Sequence, residues 1–327
     1  MKICIYGPGA IGGQLAVRLA VGGADVSVVA RGAHLAAIAE RGIYLHETER
    51  GTLHAKVRAS ADPAALGPQD AVLVAVKTTG LAQVAAGIAP LLGPETPVGF
   101  VVNGIPWWYC QGISGVLAGR DLPMLDPGGA LARAVAPARV VGGVVNAASS
   151  VTGPGEITLE AHNTRLVLGH PDGAADAALD RLAATLTAGG MAGVVTPSIR
   201  DAVWDKLISN LTGGPLAVLA MVSLKTLYTE LACETAIAAM MEEAAAIATA
   251  IGANPSLDHA TRMARGRGID HKPSILQDLA AGRAMEIDTM FAAPLALARM
   301  AGVKTPLLDL AVALVTLRAR GAGCYPG

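Results

Sequence analysis

Charge of a single sign is what this chain most clearly lacks. Lysine and arginine number 25 and aspartate and glutamate 26, which leaves a net charge of −1 over 327 residues. A surface without bulk charge excludes a general nucleic-acid or anionic-membrane binder. Cysteine is scarce as well. Cys4, Cys110, Cys233 and Cys324 stand far apart with no C-x-x-C spacing. No metal site and no disulfide framework follow from them, and they read as reduced packing thiols of a cytoplasmic protein. Long apolar runs are missing although hydrophobic residues make up 52% of the chain. The longest clean run, Pro215 to Leu224, is too short to cross a bilayer. Gly7-Pro8-Gly9 interrupts any signal-peptide core almost at once. Repeats of solenoid length and low-complexity tracts are absent too. Aromatics are only 3% of residues, so any cluster of them stands out.

What is present begins at the amino end. Lys2-Ile3-Cys4-Ile5-Tyr6 is β-prone and apolar, and reads as a buried strand. Gly7-Pro8-Gly9-Ala10-Ile11-Gly12 then fits G-x-G-x-x-G, and Gln14 to Ala20 reads as a helix. A dinucleotide pyrophosphate needs this order of strand, glycine turn and helix. Gly7 makes the tight turn, Gly9 lets the backbone approach phosphate, and Gly12 lets the helix pack on its strand. Gly7, Gly9, Ala10, Ile11 and Gly12 are therefore cofactor-binding candidates on a Rossmann-type domain. The second strand, Asp25 to Ala30, ends in Arg31, with no carboxylate before Glu40. An arginine at that place suits a ribose 2′-phosphate and favours NADP(H). A plain exposed arginine at a strand end is the other reading.

Further along, Ile43–Glu47 and Thr52–Val57 alternate around Thr48-Glu49-Arg50-Gly51 and predict a hairpin decorating the nucleotide domain. Ala71–Val76 is the cleanest central strand and runs into Lys77, a candidate cofactor or substrate contact that could equally be solvated. Leu81 to Leu92 reads as a helix. Val98 to Val102 ends in Asn103-Gly104 on the expected ligand edge, which favours a functional asparagine over a bare turn. Trp107-Trp108-Tyr109 follows, and is either a pocket cover or core packing. Val140–Ala147 and Glu156–Leu168 read as late strands around a turn at 151–155. Ala174–Leu186 reads as a helix and Val194-Val195 as a last strand. Beyond Thr196-Pro197 every segment has helical period. The expectation is an α/β fold: a nucleotide-binding domain over 1–196, an all-helical domain over 197–327, and an active site in the cleft between them.

In the second half, Trp204-Asp205-Lys206-Leu207-Ile208-Ser209-Asn210 places Lys206 and Asn210 four apart on one helical face. Such a pair can hold a carbonyl oxygen and its neighbour. Ser274 and Glu286 stand among apolar positions, and each alone reads as a cap or a solvated charge. Taken together with the glycine loop, Arg31, Val76-Lys77-Thr78, Val102-Asn103-Gly104, Ser274-x-x-x-Asp278 and Glu286-Ile287-Asp288, these stretches resemble the ketopantoate reductase (2-dehydropantoate 2-reductase) family over nearly the whole chain.

That resemblance implies NADPH-dependent reduction of a 2-oxo acid to a 2-hydroxy acid, the step from ketopantoate to pantoate in pantothenate biosynthesis. It implies Lys206 as the general acid on the ketone oxygen. Glu286 is implied as partner of that lysine and of a substrate hydroxyl. Asn103, Asn210 and Ser274 are implied as substrate contacts, with Asn103 also near the nicotinamide. Lys77 and Glu286 join the candidate cofactor contacts. The chemistry agrees, because hydride arriving at a carbonyl carbon leaves negative charge on oxygen and an ammonium there stabilises it and gives a proton. One departure is Gly214, where the family usually carries a second asparagine. It opens the alternative of a bulkier 2-oxo acid. A silent NADP(H)-binding sensor is the reading of another class, against which Lys206 and Glu286 speak. The expected partner is a small molecule, with no nucleic acid, membrane or metal, and a homodimer is left open.

Overall fold

The computed structural model describes residues 1–48, 51–160, 163–256, 258–268, 270 and 272–326. The chain divides into two compact units, one of Met1–Val102 with Asp126–Ile199, the other of Asn103–Leu125 with Arg200–Gly327.

In chain order the first unit holds β1 (Lys2–Tyr6), α1 (Ala10–Val21), β2 (Asp25–Val29), α2 (Gly32–Arg41), β3 (Ile43–Glu47), β4 (Gly51–Ala55), β5 (Arg58–Ser60), β6 (Ala71–Val74), α3 (Leu81–Gly87), β7 (Val98–Val101), α4 (Ala130–Ala134), β8 (Val140–Asn146), β9 (Ser149–Gly153), β10 (Glu156–Leu159), β11 (Arg165–Gly169), α5 (Ala177–Ala188) and β12 (Ala192–Val195). Its main sheet runs β12-β11-β8-β7-β6-β1-β2-β5. Neighbours are parallel except β8 with β11. β6 and β7 are buried along their length, so they read as unbroken apolar runs. Chain order reverses at β1, which lies between β2 and β6. The carboxyl end of β1 is thus the switch point at which open α/β sheets take ligands.

A second sheet, β4-β3-β10-β9, covers α1. A Cβ on Gly13 would lie 2.8 Å from Ile157 Cγ1, so helix and second sheet touch at a glycine. Leu15, Leu19, Leu45, Ile157 and Leu159 share one core with the main sheet. Gly12 to Leu19 are all buried, as expected of a helix with neighbours on every side. Even Arg18 is buried, its Nη2 3.0 Å from Glu47 Oε1 and its Nη1 donating to Gly189 O at 3.1 Å. A charge so placed persists only when paired.

The expected hairpin is therefore half of a sheet rather than a decoration; its turn residues Glu49 and Arg50 lie outside the described residues. The stretch expected as a strand from Glu156 to Leu168 is two strands in two sheets. β10 packs on α1 and β11 joins β8, with the polar stretch 160–164 between them; Ala161 and His162 lie outside the described residues.

The second unit carries α6 (Ile199–Ala220, from Arg200 on), α7 (Leu224–Thr229), α8 (Leu231–Ala250), α9 (His259–Gly268), α10 (Ser274–Ala280), a π-helical turn over Asp288–Ala292, α11 (Ala293–Met300) and α12 (Pro306–Gly321). α6 continues through Pro215. Segment 103–125, read from the sequence as part of the nucleotide domain, packs with these helices. The reason is its aromatic cluster. Trp204 Nε1 donates to the Tyr109 hydroxyl at 2.8 Å, and Arg200 donates to the carbonyls of Tyr109 and Gln111 at 3.0 and 2.6 Å. Trp107, Trp108 and Tyr109 are buried, which settles them as core. The stretch before α11, expected to be regular helix like the rest of this half, is instead the π turn.

Candidate functional site

In the first unit the loop after β1 is built for close approach. Gly7 has φ +90°, and a Cβ there would lie 2.4 Å from Val76 Cγ1. A Cβ on Gly12 would lie 2.1 Å from Gly7 O, so only glycine lets α1 start this near the strand. Gly9 faces open space, with nothing within 4 Å of its missing Cβ. It is the N-cap of α1 and offers no side-chain cap, so Ala10, Ile11 and Gly12 open a helix whose first N–H groups no capping side chain covers. An acidic group is absent from its first turn. These features fit an anionic pyrophosphate. Arg31 caps α2, is exposed, and donates from Nη1 to Gln83 Oε1 at 2.6 Å. The first turn of α2 holds no acid. Lys77 is exposed and caps the short turn Thr78–Gly80.

Sequence reasoning missed His34. Its Nδ1 accepts from the Gly155 N–H at 3.0 Å, so its Nε2 carries the proton and donates to Pro8 O at 2.6 Å. It thereby steadies the glycine loop from α2. A lone histidine three residues after Arg31 gave no sign of this.

In the second unit Lys206 Nζ donates to Asn103 Oδ1 at 2.6 Å. Both are half-buried. Burial lowers the Lys206 ammonium from its ordinary 10.5 to about 8, and the nearby Glu286 carboxylate pulls the other way. The structure thus brings together three of the expected residues, Asn103, Lys206 and Glu286. Asn210 follows one turn later on α6, also half-buried, and Ser274 is exposed as the first residue of α10. Asp278 is buried and takes the Arg283 guanidinium at 2.9 Å, which makes that part of the pattern a structural ion pair.

Gly104 is what lets Asn103 sit here. Its φ is +80°, and a Cβ would lie 2.2 Å from Thr289 O and 2.4 Å from Thr289 C. Ile105 N–H donates to that same Thr289 oxygen at 2.8 Å. The Asn103 loop therefore presses backbone to backbone on the π turn that follows Glu286. Gly214 is buried in α6, and a Cβ there would stand 3.6 Å from Phe291 Cζ and 3.7 Å from Ile275 Cγ2, in ordinary contact. Among the described residues no group of three or more His, Cys, Asp or Glu is arranged to hold a metal ion.

Two family profiles match the chain: ketopantoate reductase PanE/ApbA over residues 3–108 and its C-terminal partner over 198–319. A 2-dehydropantoate 2-reductase of Mesorhizobium japonicum is 40% identical over 99% of this chain and 100% of its own length. A crystal structure from Ralstonia solanacearum, described as a ketopantoate reductase, is 39% identical, covers 99% of both chains and superposes with TM-score 0.90. The 2-dehydropantoate 2-reductase of Methylococcus capsulatus is 26% identical over 98% of both chains, with TM-score 0.84. The chain belongs to the ketopantoate reductase family.

Proposed function

We propose that this protein is an NADPH-dependent reductase of 2-oxo acids, with ketopantoate as the substrate its relatives' names indicate. The observation that carries the reading is the contact of Lys206 with Asn103 beside Glu286. The glycine loop would hold the pyrophosphate, and Arg31 the 2′-phosphate. A bound nicotinamide cofactor supplies the hydride. Lys206 then meets the developing alkoxide and gives it a proton. Asn103 orients the ammonium through its side-chain oxygen. Glu286 keeps the lysine protonated against the effect of burial. Asn210 and Ser274 are assigned to the substrate, and Lys77 to the cofactor.

A second reading keeps this chemistry and changes the substrate to a bulkier, less polar 2-oxo acid. Its lower polarity, though not its bulk, is favoured by Gly214, which offers no donor and has Phe291 and Ile275 beside it. A homodimer is part of the proposal. Leu307, Leu310, Leu314 and Leu317 lie exposed along one face of α12 and are its candidate surface. A cytoplasmic site agrees with the four free cysteines, and no helix among the described residues is long and apolar enough to cross a membrane.

The test is NADPH consumption over a panel of 2-oxo acids, with Lys206→Ala beside the native chain. Turnover of at least one acid is expected, reduced roughly 10²–10⁴-fold in the variant with NADPH affinity kept. No consumption with any acid defeats the reading. A normal rate in the variant removes Lys206 from its role and brings Lys77 forward.

A further inference from the structure

Glu286 lies on a stretch that is fastened from two sides. One side is the Asn103–Ile105 loop against Thr289. The other is the segment that follows α12. There the Cys324 carbonyl accepts from the Met285 N–H at 2.9 Å, and the Tyr325 hydroxyl donates to Asp288 Oδ1 at 2.5 Å. Glu286 sits between those two anchor points, one residue after the first and two before the second. The fastening segment is itself tied to α12. Cys324 is buried and its N–H donates to Ala319 O at 2.9 Å. The Arg320 guanidinium lies 5.7 Å from the centre of the Tyr325 ring, and its Nε donates to Pro326 O at 3.1 Å.

Such fastening answers a local need. The backbone after Glu286 is not regular α-helix, because Asp288–Ala292 form a π turn. A π turn is less favourable than the α-helix it interrupts and persists only where its surroundings hold it. Relaxing it by one residue would rotate every side chain at its head. Glu286 would then face elsewhere.

We propose that Tyr325 is a positioning residue: its hydrogen bond to Asp288 holds the head of the π turn so that Glu286 stays directed toward Lys206. The idea rests on the reading of Lys206 as proton donor and Glu286 as its partner. The titratable and charged groups involved are Lys206 on α6, Glu286 and Asp288 on the held stretch, and Arg320 and Tyr325 on α12 and after it. Burial, with Asp288 as its neighbour, pushes the Tyr325 hydroxyl up to about 12, so it keeps its proton and donates throughout the working pH range.

Tyr325→Phe keeps the ring under Arg320 and removes only the hydroxyl. With Glu286 less well held, the ammonium of Lys206 loses support and deprotonates earlier. The rate of 2-oxo acid reduction at neutral pH should fall about five- to tenfold. The alkaline fall of kcat should also begin at lower pH, with KM for NADPH unchanged. A merely structural role would lower stability and leave the position of that fall unmoved.

Asp288→Ala removes the same bond from its other end and covers the case in which Tyr325→Phe does not fold. It should move the fall in the same direction, and the double variant should add little. Asp288→Asn keeps an acceptor for the hydroxyl and separates the bond from the charge; it should behave as the native chain.

Glu286→Gln distinguishes the two failures. If it moves the alkaline fall and neither Tyr325→Phe nor Asp288→Ala does, the positioning role is overturned and the functional reading stands. If Glu286→Gln leaves the fall in place, the functional reading fails and the positioning role fails with it.

Discussion

Lys206 Nζ and Asn103 Oδ1 are 2.6 Å apart, although 103 positions separate them in the chain. The bond fixes where the ammonium points, and burial decides how tightly it holds its proton. With its pKa lowered to about 8, Lys206 is charged below that value and neutral above it. If Lys206 gives the proton as proposed, reduction needs the charged form, so kcat/KM for the 2-oxo acid should fall as pH rises through about 8, where an unperturbed lysine would hold until near 10.5. Glu286 raises this pKa, so Glu286→Gln should shift the fall to lower pH. The reverse reaction, which needs the neutral amine as base, should rise through the same range. Rate profiles in both directions check the sign, and a fall unmoved by Glu286→Gln contradicts the pairing.

How far this site was legible in the sequence depends on whether local pattern or distant packing makes each part. The glycine loop was legible because its demands are local: a turn at Gly7, bare backbone at Gly9, and a close start of α1 at Gly12. The spacing of Lys206 and Asn210 on α6 was legible for the same reason. The second sheet was not, because β3 and β10 pair across more than a hundred residues and nothing in either strand names the other. Segment 103–125 was misplaced because its aromatic run leaves open which core it fills. The π turn and the Tyr325 anchor were invisible, since both arise from how distant segments meet and neither has a pattern of its own. His34 joins them, as its partners are two backbone groups.

In the proposed function Arg31 selects the cofactor. Its guanidinium, held toward Gln83, is the cationic fork at the end of β2, and no carboxylate stands in the first turn of α2 to take ribose hydroxyls. Arg31→Ala should weaken NADPH binding about ten- to hundredfold and leave NADH nearly unchanged. Gln83→Ala should give a smaller loss in the same direction. Titration of both cofactors measures this. Equal losses for NADPH and NADH would show that Arg31 does not read the 2′-phosphate.

Gly104→Ala should test the Asn103 loop apart from the glycine loop. The added methyl would collide with the Thr289 carbonyl, and the backbone would be held at a φ that side chains resist. A loss of about 1–3 kcal/mol of stability is expected. Relief of the clash would push the Asn103 loop away from the π turn and carry Asn103 off Lys206. kcat should then fall while the dissociation constant for NADPH stays close to native. Thermal melting with steady-state kinetics reads both effects. Native kcat in a folded variant would mean that the loop can move without disturbing Lys206.

The second reading of the substrate turns on Gly214. A void waiting for a bulky group is not what the structure shows, since a methyl at 214 would already touch Phe291 and Ile275 in ordinary contact. What lies beside it is an apolar wall. No positive φ holds glycine there, so Gly214→Ala should be tolerated and should stabilise α6 by up to about 1 kcal/mol. Gly214→Asn sets an amide against two apolar side chains, at about 1–3 kcal/mol if it finds no partner. A polar substrate group could be that partner. If the wall selects substrate, the native protein should favour a 2-oxo acid with an apolar tail, and Gly214→Asn should shift the ratio of kcat/KM values toward ketopantoate. The stability loss of that variant should also be recovered in part when ketopantoate is bound. If the native chain already reduces ketopantoate far better than any apolar 2-oxo acid, position 214 packs the helix and does not choose the substrate.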